Sequence, residues 1–390
     1  MKRISLFFLM MSVTLITQAQ TFTYNAGGAA GKNYYQELPY QDINGKMIVQ
    51  VKVGGQTANF LFDTGAPTSI SKELAKASGA TFLRNAPVTD AGGLKDSTSV
   101  VLPKSIRLGE VEFNDIPAVT LVPDFFKCWG VTGIIGSNLL RNSVVQIDAV
   151  KKRIILTDQP EKLNLNPKNA IPLLLSKGQS DPRIQIKLAK KVSMTMGFDT
   201  GDNSFLRLSE DFMNQLSKSK VFEVLSEGYG ATRISAFGEQ KAADKFLLRF
   251  ANFELGSGKF SNVVTYTDKN GIPGIGTKLL EYGLVTLDYM DKKFYFEPYK
   301  EITDLNETRW PFELSLDGDK LIFGAVWKSA AGQLKQGEQI LAINEKEYPA
   351  VSLCQMLTSP SVFKGLTSAV LKIKDADGAI RTVTVKREIL

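Results

Sequence analysis

Residues 47–53 alternate apolar and polar positions, Gly54-Gly55 interrupts them, and residues 57–62 run back to an apolar end at Asp63. Period-two alternation on both sides of a glycine pair predicts a β-hairpin that delivers Asp63 at the end of a strand. Residues 183–188 and 192–198 repeat this pattern and end at Asp199. Short runs of Val, Ile, Phe and Thr between Gly and Asn fill most of the remaining chain, which predicts a mainly β protein. Helices are few and short: 72–78 behind a Ser71 cap, 210–217 behind Ser209, and pieces at 138–141 and 278–282. Residues 21–44, rich in Gly, Ala, Asn and Gln, read as a flexible lead-in with structure starting near Met47. The prolines at 160, 167 and 172 mark 159–172 as a linker.

The two hairpins belong to a longer internal repeat. Phe62-Asp63-Thr64-Gly65 returns as Phe198-Asp199-Thr200-Gly201, 136 residues later. The glycines Gly92 and Gly93 are followed in the second copy by Gly228 and Gly230. Leu108-Gly109 with Phe113 is matched by Leu255-Gly256 with Phe260. Finally, Gly133-Ile134-Ile135-Gly136 is matched by Pro273-Gly274-Ile275-Gly276, and Gly136 and Gly276 each stand 12 residues before an aspartate, Asp148 and Asp288. Matched landmarks in the same order indicate a duplicated structural unit. Each unit carries one acid in the same setting, which suggests that the two acids meet.

An apolar strand running into Asp-Thr-Gly, followed later by two apolar residues and a glycine, resembles the pepsin-like and retropepsin-like aspartic proteases over roughly residues 45–300. The resemblance implies two homologous β lobes related by a pseudo-two-fold, with Asp63 and Asp199 as a shared catalytic pair. It implies that Thr64 and Thr200 cross-bond beneath the acids, that Gly65 and Gly201 let backbone N–H groups approach them, and that Gly136 and Gly276 lie under the same loops. It also makes Gly92, Gly93, Gly228, Tyr229 and Gly230 flap candidates, against the plainer reading of ordinary turns.

After Pro298 the repeat ends. The run from Val326-Trp327-Lys328-Ser329-Ala330-Ala331 through Gly337-Glu338-Gln339-Ile340 to Asn344 resembles a PDZ domain, a small β-barrel with helices, over 309–390. Such domains bind C-terminal peptides by strand addition. Here the carboxylate-binding loop would be Trp310-Pro311-Phe312-Glu313, where proline removes a donor and Glu313 repels a carboxylate. A structural or substrate-presenting role fits as well as peptide capture. The expected organisation is therefore a signal peptide at 1–20, a first lobe at 21–158, a linker at 159–172, a second lobe at 173–304 and a PDZ-like unit at 305–390.

Composition narrows the chemistry. The chain has 390 residues, 43% hydrophobic and 22% charged, with a formal net charge of +7 and no histidine. Without histidine no histidine triad can form, and with two cysteines no zinc cluster can be assembled; no metal or cofactor is expected. The basic residues are diffuse, which argues against a nucleic-acid partner. Lys2-Arg3, an apolar core at 4–16 and small residues around Ala19 read as a secretory signal, too short to span a membrane. A periplasmic or extracellular monomer without a transmembrane anchor follows. Cys128 and Cys354 fall in different expected domains, which argues against a disulfide.

The resemblance implies an exported endopeptidase acting on peptide or protein substrates. Two carboxyls held together cannot both ionise, so one keeps a proton while the other activates water. A catalytically inactive peptide-binding or scaffold protein of the same fold is the alternative. After the two Asp-Thr-Gly motifs stand Ala66 and Asp202. As a third nearby carboxylate Asp202 would raise the pair's pKa values and make the activity optimum less acidic than pepsin's; alternatively it bonds N–H groups of its own loop.

Overall fold

The computed structural model describes residues 22–89, 94–231, 234–235, 238–239 and 241–388. The signal segment 1–20 and the glycines Gly92 and Gly93 lie outside the described residues. The protein is mainly β, built from two lobes with the expected hairpins and a smaller C-terminal unit.

In the first lobe Lys46–Val53 pairs antiparallel with Gln56–Phe62, and Gly54 and Gly55 turn the chain at φ +53° and +87°. Positive φ at both central residues is what a tight hairpin turn needs, and glycine adopts it without strain. Val131–Ile135 then lies parallel beside Gln56–Phe62, with Ile135 opposite Phe62. In the second lobe Pro182–Ala189 pairs with Val192–Phe198, and Gly274–Ile275 lies parallel to the latter, with Ile275 opposite Phe198. Strict alternation puts Ile184, Ile186 and Leu188 inside and Arg183, Gln185 and Lys187 outside. Ser71 and Ser209 cap the helices Lys72–Ala77 and Glu210–Leu216 by accepting from the N–H groups of Leu74 and Phe212.

The closing strands of the two copies join the lobes. Val144–Asp148 pairs antiparallel with Gly283–Asp288, and the equivalent residues Gln146 and Thr286 face each other, Gln146 Nε2 donating to Thr286 Oγ1 at 3.0 Å. A local two-fold therefore passes between them. This sheet also corrects two expectations. The lead-in is ordered: Tyr35–Pro39 pairs with Arg153–Thr157 and buries Leu38. Its counterpart Ala170–Leu175, which begins inside the stretch read as a linker, pairs with Lys293–Pro298. Tyr35–Pro39, with Gln36 and Glu37 among its five residues, suits an edge of this interlobe sheet with one face in water, whereas Ala170–Leu175 continues from the sheet into the second lobe by pairing with Pro182–Ala189.

The C-terminal unit has its own core around Phe312, Phe323, Ile340, Phe363, Leu371 and Ile373. Two fastenings hold it to the lobes. Its strand Lys320–Trp327 pairs with Phe222–Gly230 of the second lobe, Gly228 opposite Trp327 and Gly230 opposite Ala325. Cys354, in its helix Leu353–Thr358, forms a disulfide with Cys128 of the first lobe, 226 residues away in sequence. The expectation of unpaired cysteines fails because a boundary along the chain does not separate the units in space.

The same contact corrects the second flap candidate. Gly228, Tyr229 and Gly230 form a strand paired with the C-terminal unit. The buried Trp327 ring packs against Gly228, where a Cβ would come within 2.5 Å of its Cε3, and Gly230 sits at φ +151° against Gly324. Gly228→Ala is expected to lower unfolding stability by about 1–3 kcal/mol, because a rigid ring and a strand backbone must both shift. Gly332→Ala, with nothing within 4 Å, should be nearly neutral. Urea titrations of the two variants beside wild type check this; equal midpoints would deny the close packing.

Candidate active site

Each acid stands where a strand ends on buried apolar side chains. Phe60 and Phe62 lead to Asp63, and Met196 and Phe198 lead to Asp199. The parallel neighbour continues the ladder one residue further: Asp63 N donates to Ile135 O at 3.0 Å and Asp199 N to Ile275 O at 2.9 Å. The next residue of each loop reaches across. Thr64 Oγ1 donates to Phe198 O at 2.7 Å and accepts from Thr200 N at 3.1 Å; Thr200 Oγ1 donates to Phe62 O at 2.9 Å and accepts from Thr64 N at 3.0 Å. Four bonds among groups with no solvent exposure fix one loop against the other.

The glycines that follow let the carboxyls approach. Gly65 N donates to Asp63 Oδ1 and Gly201 N to Asp199 Oδ1, both at 2.9 Å. A Cβ on Gly65 would stand 2.6 Å from Asp199 Cγ, and one on Gly201 would strike the Asp63 carboxyl. Each acid thus lies over the opposite loop's glycine, within hydrogen-bonding reach of the other acid. Gly136 and Gly276 lie under the loops, where a Cβ would meet the backbone of Pro67 and Thr68 or, at 2.5 Å, the carbonyls of Asp202 and Ser204.

The charged surroundings break the two-fold. In the first lobe Ser69 lies opposite Ile134; at the matching place in the second lobe Arg207 lies opposite Gly274. Glycine in place of isoleucine makes room for the guanidinium. Arg207, 5% exposed, donates from Nη2 to Asp199 Oδ2 at 3.1 Å and pairs through Nη1 with Asp202 Oδ2. Asp202 Oδ1 accepts from Ser204 N at 2.8 Å. Asp202 therefore bonds an N–H of its own loop and shares a cation with Asp199. Lys46, at the start of the first-lobe hairpin, bonds Gly201 O; burial pushes its ammonium pKa down, against the pull of Asp202, Asp199 and Asp63.

Burial first, and then the charge on Asp199, push Asp63 up to about 8, against the Gly65 N–H and Lys46. Asp63 is thus the protonated member at neutral pH.

Sequence reasoning missed both cations. Arg207 interrupts the apolar run Phe205-Leu206-Arg207-Leu208, which is a readable sign of a buried charge; Lys46 carries no such sign.

The acids open into a cleft of about 970 Å³. Pro87, Val88 and Thr89, near the end of the first-lobe hairpin Thr81–Thr89 and Lys95–Leu102, line it on one side. Residues of the C-terminal unit, including Leu316 and Met356, line it on another.

Residues 49–139 match the family model described as aspartyl protease. The matched span holds Asp63, the glycine after it and Gly136, and gives this part of the chain a protease-like character. No curated protein matches the chain. Among solved structures it is similar to basic 7S globulin from soybean, at 11% identity with a TM-score of 0.40, and to conglutin gamma, a basic 7S globulin from lupine seeds, at 12% with 0.39. Each likeness covers 69% of this chain and 96% of the other.

The raised pKa of Asp63 gives stability a pH dependence of definite sign. The folded chain keeps this proton to about pH 8, whereas the unfolded chain releases it near the ordinary 3.8. Between those values the unfolded state binds fewer protons, so the contribution is complete below about pH 3.8 and is lost as pH rises through about 8. Asn at this position cannot titrate. The unfolding free energy of wild type relative to Asp63→Asn is expected to fall steadily from about pH 4 to about pH 8 in urea titrations. Parallel curves would place the raised pKa elsewhere.

Proposed function

We propose that the protein is an exported aspartic endopeptidase that hydrolyses peptide bonds with water activated by Asp63 and Asp199. The observation that carries this reading is the pair itself, two carboxyls within reach of each other, locked by reciprocal threonine bonds, one of them protonated at neutral pH. In the proposed reaction a water between the acids gives a proton to Asp199 as its oxygen attacks the peptide carbonyl carbon, and Asp63 gives its proton to the carbonyl oxygen. Collapse of the resulting diol breaks the C–N bond. The leaving nitrogen takes the proton from Asp199, and a diol hydroxyl returns one to Asp63. Atoms and charge balance, and the pair is restored. Both acids lie in one chain, so a monomer suffices. The disulfide supports export, since such bonds persist in oxidising compartments.

One observation favours the alternative of a protein that binds peptides without cutting them. Asp199 Oδ2, an oxygen available to take the proton of water, already accepts from Arg207. Catalysis then depends on whether Asp199 acts as a base while paired.

Kinetics decide between the two readings. Asp63→Asn and Asp199→Asn are each expected to reduce cleavage of an unstructured peptide to background. A single variant keeping more than about a tenth of wild-type turnover would remove the pair from the mechanism, and wild type that binds peptide without cleaving it would favour the alternative. Because Asp63 must be protonated to act as the acid, kcat/KM should persist at neutral pH and fall as pH rises through about 8. An activity lost already above about pH 5 would contradict the assignment of the proton to Asp63.

A further inference from the structure

The cleft has two unlike sides. Beside Asp199 it is charged, through Arg207, Asp202 and Lys46. Beside Asp63 it is apolar: Leu61 precedes the acid by two residues and packs with Ile134, Trp129 and Phe126. Leu357 of the C-terminal unit belongs to the same cluster, and Met356 lines the same cleft.

The helix that carries these two residues is anchored at the cleft. Its Cys354 is bonded to Cys128, in the first-lobe turn Asp124–Trp129 that also supplies Phe126 and Trp129. Asn44, in the loop just before Lys46, donates to Leu357 O at 3.0 Å. At its other end the unit is laced into the second lobe by the Gly228–Gly230 ladder. It therefore bridges both lobes across the cleft. Every residue it lends to the lining, from Ser315 to Leu357, is uncharged.

We propose that the C-terminal unit forms a wall of the substrate cleft, and that Met356 and Leu357 are specificity-determining residues that select a large apolar side chain on the substrate next to the bond held at Asp63. The disulfide keeps this wall in register with the first lobe. The proposal deepens the peptide-cleaving reading and rests on it for the nature of the occupant. An apolar side chain loses no hydrogen bonds on entering such a place and gains contact area, whereas a charged one would be stripped of water among apolar side chains.

The test uses the full chain and two peptide series that differ at one position, Leu against Ala and Leu against Glu. For wild type, Met356→Ala, Leu357→Ala and the double variant Cys128→Ser/Cys354→Ser, kcat/KM ratios are measured within each series. The same ratios are read as binding affinities with Asp63→Asn added to each form. Wild type should favour Leu, and the preference over Ala should fall about tenfold in Met356→Ala and Leu357→Ala. The serine pair should blunt the preference in the same direction without altering any lining side chain. Because the readout is a ratio within one variant, a loss of folded protein cancels out. Ratios unchanged in all three variants while cleavage persists would overturn the wall and leave the protease reading standing. Altered binding ratios without cleavage in any form would sink the protease reading and leave the wall standing. Failure of every peptide to bind or be cut would overturn the wall.

Discussion

Like charge is the constraint that the site has to satisfy. Two carboxylates brought into contact in a buried cleft repel each other strongly, and the arrangement persists only if one of them keeps its proton and neither loop can retreat. Protonation of Asp63 meets the first condition. The second is met beneath the acids, where each threonine hydroxyl both donates to and accepts from the opposite loop, so that moving one loop breaks four bonds together. The parallel strands Val131–Ile135 and Gly274–Ile275 hold the loops from behind. The glycines at 65 and 201 follow from the same demand, because each carboxyl occupies the volume a side chain would take.

Symmetry carries this frame and asymmetry sets its chemistry. A pair with identical surroundings would leave the proton equally placed on either acid. Here one exchange of residue types, Arg207 and Gly274 where the first lobe has Ser69 and Ile134, puts a guanidinium against Asp199 and leaves an apolar face beside Asp63. Desolvation then acts on the acid that has no arginine. Together with Asp202 and Lys46, which have no symmetric counterparts at the pair, this exchange gives the two acids different surroundings.

Much of this was legible in the sequence because it rests on local pattern. The alternation of residues 47–53 and 183–188, the glycine turn and the serine caps each act within a few residues, and the repeat placed both acids in matching strands. What was not legible depended on contacts between distant segments. Tyr35–Pro39 looked like a tail because a strand at the edge of a sheet needs few apolar residues, and its partner Arg153–Thr157 lies more than a hundred positions away. Gly228 looked like part of a flap or an ordinary turn, yet it is glycine because Trp327 packs on it. The buried arginine left a trace in both places that the exchange touches: a charge within Phe205–Leu208, and a glycine at Gly274 where the aligned copy has an apolar residue. Neither mark is informative alone, but a cavity-making residue opposite a large buried cation is a pair that an internal repeat makes visible.

The joints of the C-terminal unit matter for how the cleft can move. Interfaces between such units ordinarily permit relative motion, and here the lobes meet along the interlobe sheet and through the threonine bonds beneath the acids. In this chain a third body is tied to one lobe by a strand ladder and to the other by a covalent bond. Opening the lobes would stretch that bridge. The first-lobe hairpin strands Thr81–Thr89 and Lys95–Leu102 border the cleft, whereas their second-lobe counterpart is built into the ladder. The repeat supplied two hairpins at equivalent places, and the C-terminal unit pairs with the one in the second lobe.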